Sequence, residues 1–333
     1  MRSAAQMIFL AVLCLGILPK AHAAPVHPEG LVTERVMARG FVRCGGVPRP
    51  GLAQADGHGR WSGLEVDVCR AIAAAALGSP DRMKFHGYET PGQFAAVRGQ
   101  RDDVFFLTGS EMNDNGLAGR IVPGPVIFVE SHNVMVPADS AVRHVSGLAG
   151  DPICFFSGSG AERSLEDYFD RIHKGFFLPM PFSEHGEMDD AYDVQRCSAI
   201  AGEITTLAAT RLAGGVNQMR SRILREPLSA FPILAAAGTE DAQWSAIVAW
   251  TVITLLSADR PETRWYAAGA GAMPVKAAEL GLEKGWQRRV LSSVGSYGDI
   301  FERDLGKKSP FKLRRGLNAN QAMGGLLFAP FRD

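Results

Sequence analysis

The chain has 333 residues, with 35 Lys and Arg balanced by 35 Asp and Glu. That balance excludes the basic footprint that nucleic-acid binding needs. Beyond the first two dozen residues no segment approaches a membrane span, and the length exceeds what one core usually holds, so two lobes are expected.

The chain opens with Arg2, an apolar run from Met7 to Leu18, and the small-x-small triplet Ala21-His22-Ala23. This predicts a secretory signal peptide, residues 1–23, cut after Ala23. A membrane anchor is the rival, but the run is too short to span a bilayer. Lipidation at Cys14 is disfavoured by Leu13 just before it. Cleavage removes Arg2 and Lys20, so 35 basic residues become 33 against 35 acidic, a net charge of −2. Four cysteines remain: Cys44, Cys69, Cys154 and Cys197. An even number in an exported chain suggests disulfides, with three pairings open. Free thiols are one alternative. A metal site is the other, and no C-x-x-C or H-x-x-x-H spacing supports it.

After a polar leader over 24–38, Gly40–Cys44 reads as a strand and Val47–Arg60 as a Pro- and Gly-rich loop. In WSGLEVDVCRAIAAAALGS, Leu64, Val68, Ile72 and Ala76 share one helical face, ended by Gly78 and Pro80. Lys84–His86 is a strand, Thr90–Gly99 a helix, and Asp103–Leu107 a buried strand followed by the polar loop GSEMNDN. This alternation argues for an α/β lobe. The pattern then restarts. Asn133–Pro137 and Pro152–Phe156 are strands, Ser157-Gly158-Ser159-Gly160 is a turn, and Ala161–Ile172 is a helix. A strand, a Gly-rich turn and a helix N-terminus offer free N–H groups to an anion. A simple serine cap is the ordinary alternative. Asp193–Ile200 is read as a strand region, Thr205–Leu212 as a helix, Pro227–Ala237 as a segment crossing between lobes, and Gln243–Leu256 as an apolar helix with Trp244 and Trp250 in the core. The scattered histidines mark no site, and GSGAER lacks the lysine of a phosphate-binding loop.

Four stretches carry a resemblance: RGFVRCGGV, WSGLEVDVCRAIAAAALGSPDRMKF, AYDVQRCSAI with TTLAA after it, and the C-terminal VGSYGDIFERDLGKKSPFKLRRGLNANQAMGGLLFAP. They resemble the periplasmic amino-acid-binding proteins of ABC importers, in solute-binding protein family 3, and most of all its general L-amino-acid-binding subgroup. The resemblance runs over residues 38–333. It implies an α/β, two-lobe periplasmic-binding-protein fold of type II, with the ligand in a cleft between lobes joined by two crossing strands. Lobe one is then expected at 24–134 and 237–333, and lobe two at 135–236. The resemblance also implies the pairs Cys44–Cys69 and Cys154–Cys197.

The ligand loops depart from that pattern. The subgroup's loop after the third strand resembles SRNTTWTLSRD, whose last arginine grips the ligand carboxylate. Placed without gaps, that arginine falls on Asn115 and the tryptophan on Glu111, while Ser110 keeps a hydroxyl. The first loop, GVPRPGLAQADGHG, lacks the family's aromatic. Arg49 there is a candidate replacement cation, with a solvent-exposed arginine the ordinary alternative. The second-lobe QTGTTTE becomes FFSGSGAE, so Ser157 and Ser159 retain hydroxyls. The aspartate that holds the ligand ammonium falls on Glu203. Truncating one partner of a desolvated arginine–carboxylate pair costs about 2–5 kcal/mol, whereas a helix N-terminus supplies only about 0.3–2 kcal/mol. The turn cannot replace a lost arginine, so either another cation moves in or the ligand is a more cationic or polyol-like solute.

The expected function is capture of a small polar solute, an amino acid or a related amine, for an ABC transporter permease, by a monomeric periplasmic protein without cofactor or metal. One alternative is a non-transport accessory or sensory protein on the same scaffold. Another is a dehydratase-like enzyme in which Glu111 and Glu203 form an acid–base pair.

Overall fold

The computed structural model of the protein describes residues 31–329, apart from 115, 174, 214–219 and 260–274. The expected signal peptide, with Cys14, and Asn115 therefore lie outside the described residues.

A helix, α1 (Leu31–Arg39), leads into strand β1 (Val42–Gly46). A short ribbon follows, β2 (Gln54–Ala55) with β3 (Trp61–Ser62), then α2 (Leu64–Leu77) and β4 (Met83–Gly87). The predicted α2 stripe is only part of its buried surface, because Val66, Ala73 and Ala74 are buried too. The alanine run lets this helix sit inside the lobe with neighbours on several sides. Gly78 ends it in the left-handed conformation, φ 80°, where glycine has no steric penalty.

Next come α3 (Thr90–Arg98), β5 (Val104–Thr108), α4 (Gly109–Asp114) and the long β6 (Ile121–Glu130). The first sheet is completed from far along the chain by β12 (Phe231–Gly238), in the order β4-β1-β5-β12-β6. β1, β4 and β5 run parallel, whereas β12 is antiparallel to both β5 and β6. The second sheet contains β7 (His132–Pro137), β8 (Pro152–Phe156), β9 (Leu178–Phe182), β10 (Ala199–Glu203) and β11 (Ser221–Ile223), in the order β11-β7-β10-β8-β9. Its helices are α5 (Ala161–Ile172), α6 (His185–Asp193) and α7 (Ile204–Ala213). The chain returns to the first sheet and adds α8 (Ala242–Ser257), α9 (Trp286–Val294) and α10 (Tyr297–Asp304).

Each sheet has its own apolar core. Trp244 and Trp286 are fully buried in the first, and the Trp244 indole donates to the Asp103 carbonyl at 2.8 Å. Trp250 is half-buried. The second sheet buries Phe155, Leu165, Tyr168 and Phe169 on its α5 side. The disulfides are Cys44–Cys69, joining β1 to α2, and Cys154–Cys197, joining β8 to the segment before β10.

Three segments differ from the sequence reading. GSEMNDN is not a loop but opens with the helix α4. The segment Asp193–Ile200 is mostly not strand: α6 ends at Asp193 and β10 begins at Ala199. Only Met188, Ala191 and Tyr192 of α6 are buried, so this surface helix leaves little apolar period to read. The stretch Pro227–Ala237 is mostly β12, paired inside the first sheet from Phe231 onward. Pro232 is tolerated next to a register irregularity in that ladder. The sheets thus change hands between Glu130 and His132, and again between Ile223 and Phe231.

The two crossings are tied to each other. The Leu228 amide donates to the His132 carbonyl at 2.8 Å, and the Asn133 side-chain amide donates to Leu224 and Glu226 carbonyls at 3.2 and 3.3 Å. The C-terminal segment secures β6 near its crossing. Asn318 is 5% exposed; its side chain accepts from the Val129 amide at 2.7 Å and donates to the Val129 carbonyl at 2.9 Å. An amide side chain here takes the place of a neighbouring strand. Replacing Asn318 by Ala leaves two buried backbone groups unpaired, so Asn318→Ala is expected to lower unfolding free energy by about 1–3 kcal/mol. Urea denaturation checks this, and an unchanged midpoint would mean water satisfies Val129 as well.

Candidate functional site

Strands β1, β5, β8 and β10 each end on the side where the two sheets meet, and each hands over to a segment carrying a candidate residue. Ligands in α/β sheets bind beyond the carboxyl ends of strands.

The turn after β1 sets Arg49. Its backbone pairs with Ala53 in both directions, at 2.9 and 3.0 Å, which closes the loop tightly. Its side chain is only 12% exposed, so Arg49 is not the ordinary surface arginine. It points between two acids, with Nη1 3.6 Å from Glu65 and Nη2 3.4 Å from Glu111. Glu65 is fully buried in the first turn of α2. It fits because β1 ends in glycine: a Cβ on Gly46 would lie 2.7 Å from the Glu65 carboxylate.

Glu111 begins α4. The sequence Thr108-Gly109-Ser110-Glu111 forms a reciprocal cap. The Thr108 amide donates to Glu111 Oε2 at 2.7 Å, and the Glu111 amide donates to the Thr108 hydroxyl at 3.2 Å. The Thr-x-x-Glu spacing was in the sequence and signals a helix start, which the loop reading missed. The carboxylate of Glu111 is thus committed to its own helix and to Arg49. Ser110 is exposed, with its hydroxyl 3.1 Å from that of Thr108.

In the second sheet, Ser157 is exposed and its amide donates to the Phe182 carbonyl at 2.8 Å. The Ser159 hydroxyl donates to the Phe156 carbonyl at 2.7 Å and accepts from the Ala161 amide at 3.3 Å. Ser159 therefore serves the turn that opens α5. Glu203 ends β10, half-buried, opposite His132 in the antiparallel pair with β7. Its carboxylate accepts from the Thr206 hydroxyl at 3.3 Å.

Two acids escaped the sequence reading. Glu65 was hidden in a helical pattern, and Glu130 in the apolar run VIFVE; a lone carboxylate inside such a run was the available signal. Glu130 is fully buried at the first crossing. It accepts from the Thr205 hydroxyl at 2.6 Å and from the Ser131 amide at 3.0 Å, and so binds the start of α7 to the end of β6.

The acids share one field. Burial raises the Glu65 pKa to about 8; Arg49 opposes the rise, and Glu111 and Glu130 add to it. Burial raises Glu130 to about 7, and Glu203 adds to that. The His132 imidazole is held below its usual value by burial, against the pull of Glu203. Its Nδ1 lies 2.8 Å from the Ser164 hydroxyl and 3.0 Å from that of Ser229. Arg49 thus lies beside Glu65 and Glu111, and Glu130 feels both Arg49 and Glu203. The Arg49 Nη1 and both Glu65 carboxyl oxygens are buried without a hydrogen-bond partner. Among the described residues no group of His, Cys, Asp and Glu has the arrangement of a metal site, and no helix is long and apolar enough to cross a membrane.

The Glu130 pKa is raised on folding, so the folded chain holds its proton where the unfolded chain has lost it. Its contribution is complete below about pH 4.5 and is lost as pH climbs to about 7, with a slope of up to about 1.4 kcal/mol per pH unit. Glu130→Gln is expected to flatten the decline of stability between pH 5 and 7.5 in urea titrations. Parallel wild-type and variant curves would show that Glu130 titrates normally.

No family model matches the chain. The general L-amino acid-binding periplasmic protein AapJ of Rhizobium johnstonii is 31% identical over 312 residues, 89% of this chain and 91% of its own. The glutamate/glutamine/aspartate/asparagine-binding protein BztA of Rhodobacter capsulatus is 29% identical over 315 residues, again 89% of this chain and 91% of its own. Among solved structures, an ABC transporter periplasmic binding protein from Brucella ovis with glutathione bound superposes with a TM-score of 0.70 at 32% identity, covering 89% of this chain and 98% of that one. Full-length similarity at this level, on a two-sheet fold with two crossings, establishes that the chain belongs to the periplasmic amino-acid-binding proteins of ABC importers.

Proposed function

We propose that this binding protein captures a small polar solute through its ammonium group and delivers it to an ABC importer permease. The observation that carries the reading is Glu203, half-buried where β10 ends and opposite His132 of β7, while Arg49 is shared with Glu111 at 3.4 Å. Glu203 supplies the charge that an ammonium seeks. The curated relatives bind amino acids, and the Brucella ovis protein holds glutathione. All of these ligands carry an ammonium head, which is the chemistry this cleft favours. In the same reading the protein works as a monomer, with its lobes divided at the two crossings near Ser131 and Ser229.

An acid–base role for Glu111 is the less favoured reading, because its carboxylate is engaged by Arg49 and the Thr108 amide. A flat progress curve with prephenate- or arogenate-like substrates is the matching result.

Calorimetry of the mature chain against L-amino acids, small amines and glutathione tests the reading. At least one ammonium-bearing member is expected to bind, and Glu203→Gln is expected to weaken it about 30-fold or more, the usual cost of truncating a desolvated charge pair. Failure of every ligand with folded protein, or undiminished binding by the variant, would overturn it.

A further inference from the structure

A cavity of about 150 Å³ opens beside Glu203, between α6 and α7 and over the ends of β8 and β10. It lies on the opposite side of the second sheet from α5. Its walls are apolar: Phe156, Met188 and Leu207 line it, and Met188 and Leu207 are buried in the small core on this face. Two of the lining rings are paired: His185 stacks on Phe156 with centroids 4.2 Å apart and planes 7° apart. The rim is polar, made by Ser159, Glu203, Thr206 and Thr210.

An anionic oxygen at the mouth of an apolar chamber is a two-part receptor. The carboxylate takes a cationic nitrogen, and the chamber takes whatever apolar group that nitrogen carries. A dry apolar cavity of about 150 Å³ is the size that accepts benzene. The Phe156–His185 pair suits a ring, which can pack against it offset or edge-on. The neighbouring turn leaves no competing role for the chamber, because the Ser159 hydroxyl is already bonded within its own turn.

We infer that this chamber is a side pocket of the ligand site, and that it selects ammonium-bearing solutes whose substituent is an apolar ring of about benzene size. The inference rests on Glu203 as the ammonium partner. It adds Phe156, His185 and Met188 as determinants of specificity.

Thr210 is half-buried on α7 at the rim, away from the ammonium position. Thr210→Trp should fill the chamber without touching Glu203, and Thr210→Val should leave it open. Calorimetry would compare L-phenylalanine with L-alanine on wild type and on both variants. Burying a phenyl group predicts about ten- to a hundred-fold tighter binding of L-phenylalanine than of L-alanine. Thr210→Trp should erase that ratio and leave L-alanine binding unchanged, while Thr210→Val preserves it. If wild type binds the two equally, or if Thr210→Trp weakens both equally, the side pocket is refuted while the ammonium reading stands. If neither binds and no other ammonium compound does, the ammonium reading fails and the side pocket fails with it. Should Thr210→Trp not fold, the wild-type ratio and Thr210→Val decide the matter.

Discussion

The ligand site depends on the pair of contacts that Arg49 makes with Glu65 and Glu111. A buried charge without partners is expensive. Arg49 donates to Glu111, which also caps α4, and lies beside Glu65, whose carboxyl burial pushes up to about 8. The contact with Glu111 competes with a ligand carboxylate for Arg49, while the Arg49 Nη1 has no hydrogen-bond partner. In the proposed reading, charge for recognition is carried by the second lobe, at Glu203.

The crossings make that division of labour consequential. Glu130 joins the end of β6 to Thr205 at the start of α7, and Glu203 lies just before that helix. His132 and Asn133 tie the first crossing to the second through Leu228, Leu224 and Glu226. Any rotation of one lobe against the other must pass through these buried contacts. Charge arriving at Glu203 is felt at Glu130, since Glu203 is among the groups that raise it. Glu203 and the first crossing are therefore electrostatically joined.

Much of this was legible in the sequence. The α2 stripe ended by Gly78, the strand Pro152–Phe156 and the helix Ala161–Ile172 were all readable because period and punctuation agreed. The cysteine pairs followed from family resemblance, not from spacing. Glu203 was placed the same way, and it ends β10 opposite His132 and accepts from Thr206. Other features were hidden for physical reasons. The Thr-x-x-Glu cap at Thr108 is short, and its helix has no apolar face, so it looked like a loop. Glu65 and Glu130 sit in apolar runs, and only tertiary burial shows that their charge matters. The role of Arg49 needed the fold, because Glu65 and Glu111 reach it from two separate helices. The Phe156–His185 wall is equally non-local: β8 and α6 bring those rings together.

The central claim is that the cleft reads ammonium before carboxylate. The direct measurement is calorimetry at neutral pH with two derivatives of the tightest-binding amino acid: its carboxamide, which keeps only the ammonium, and its N-acetyl form, which keeps only the carboxylate. The carboxamide is expected to retain most of the affinity and the N-acetyl form to lose nearly all of it. Tighter binding of the N-acetyl form would overturn the ammonium reading and would give Arg49 the role of a carboxylate grip.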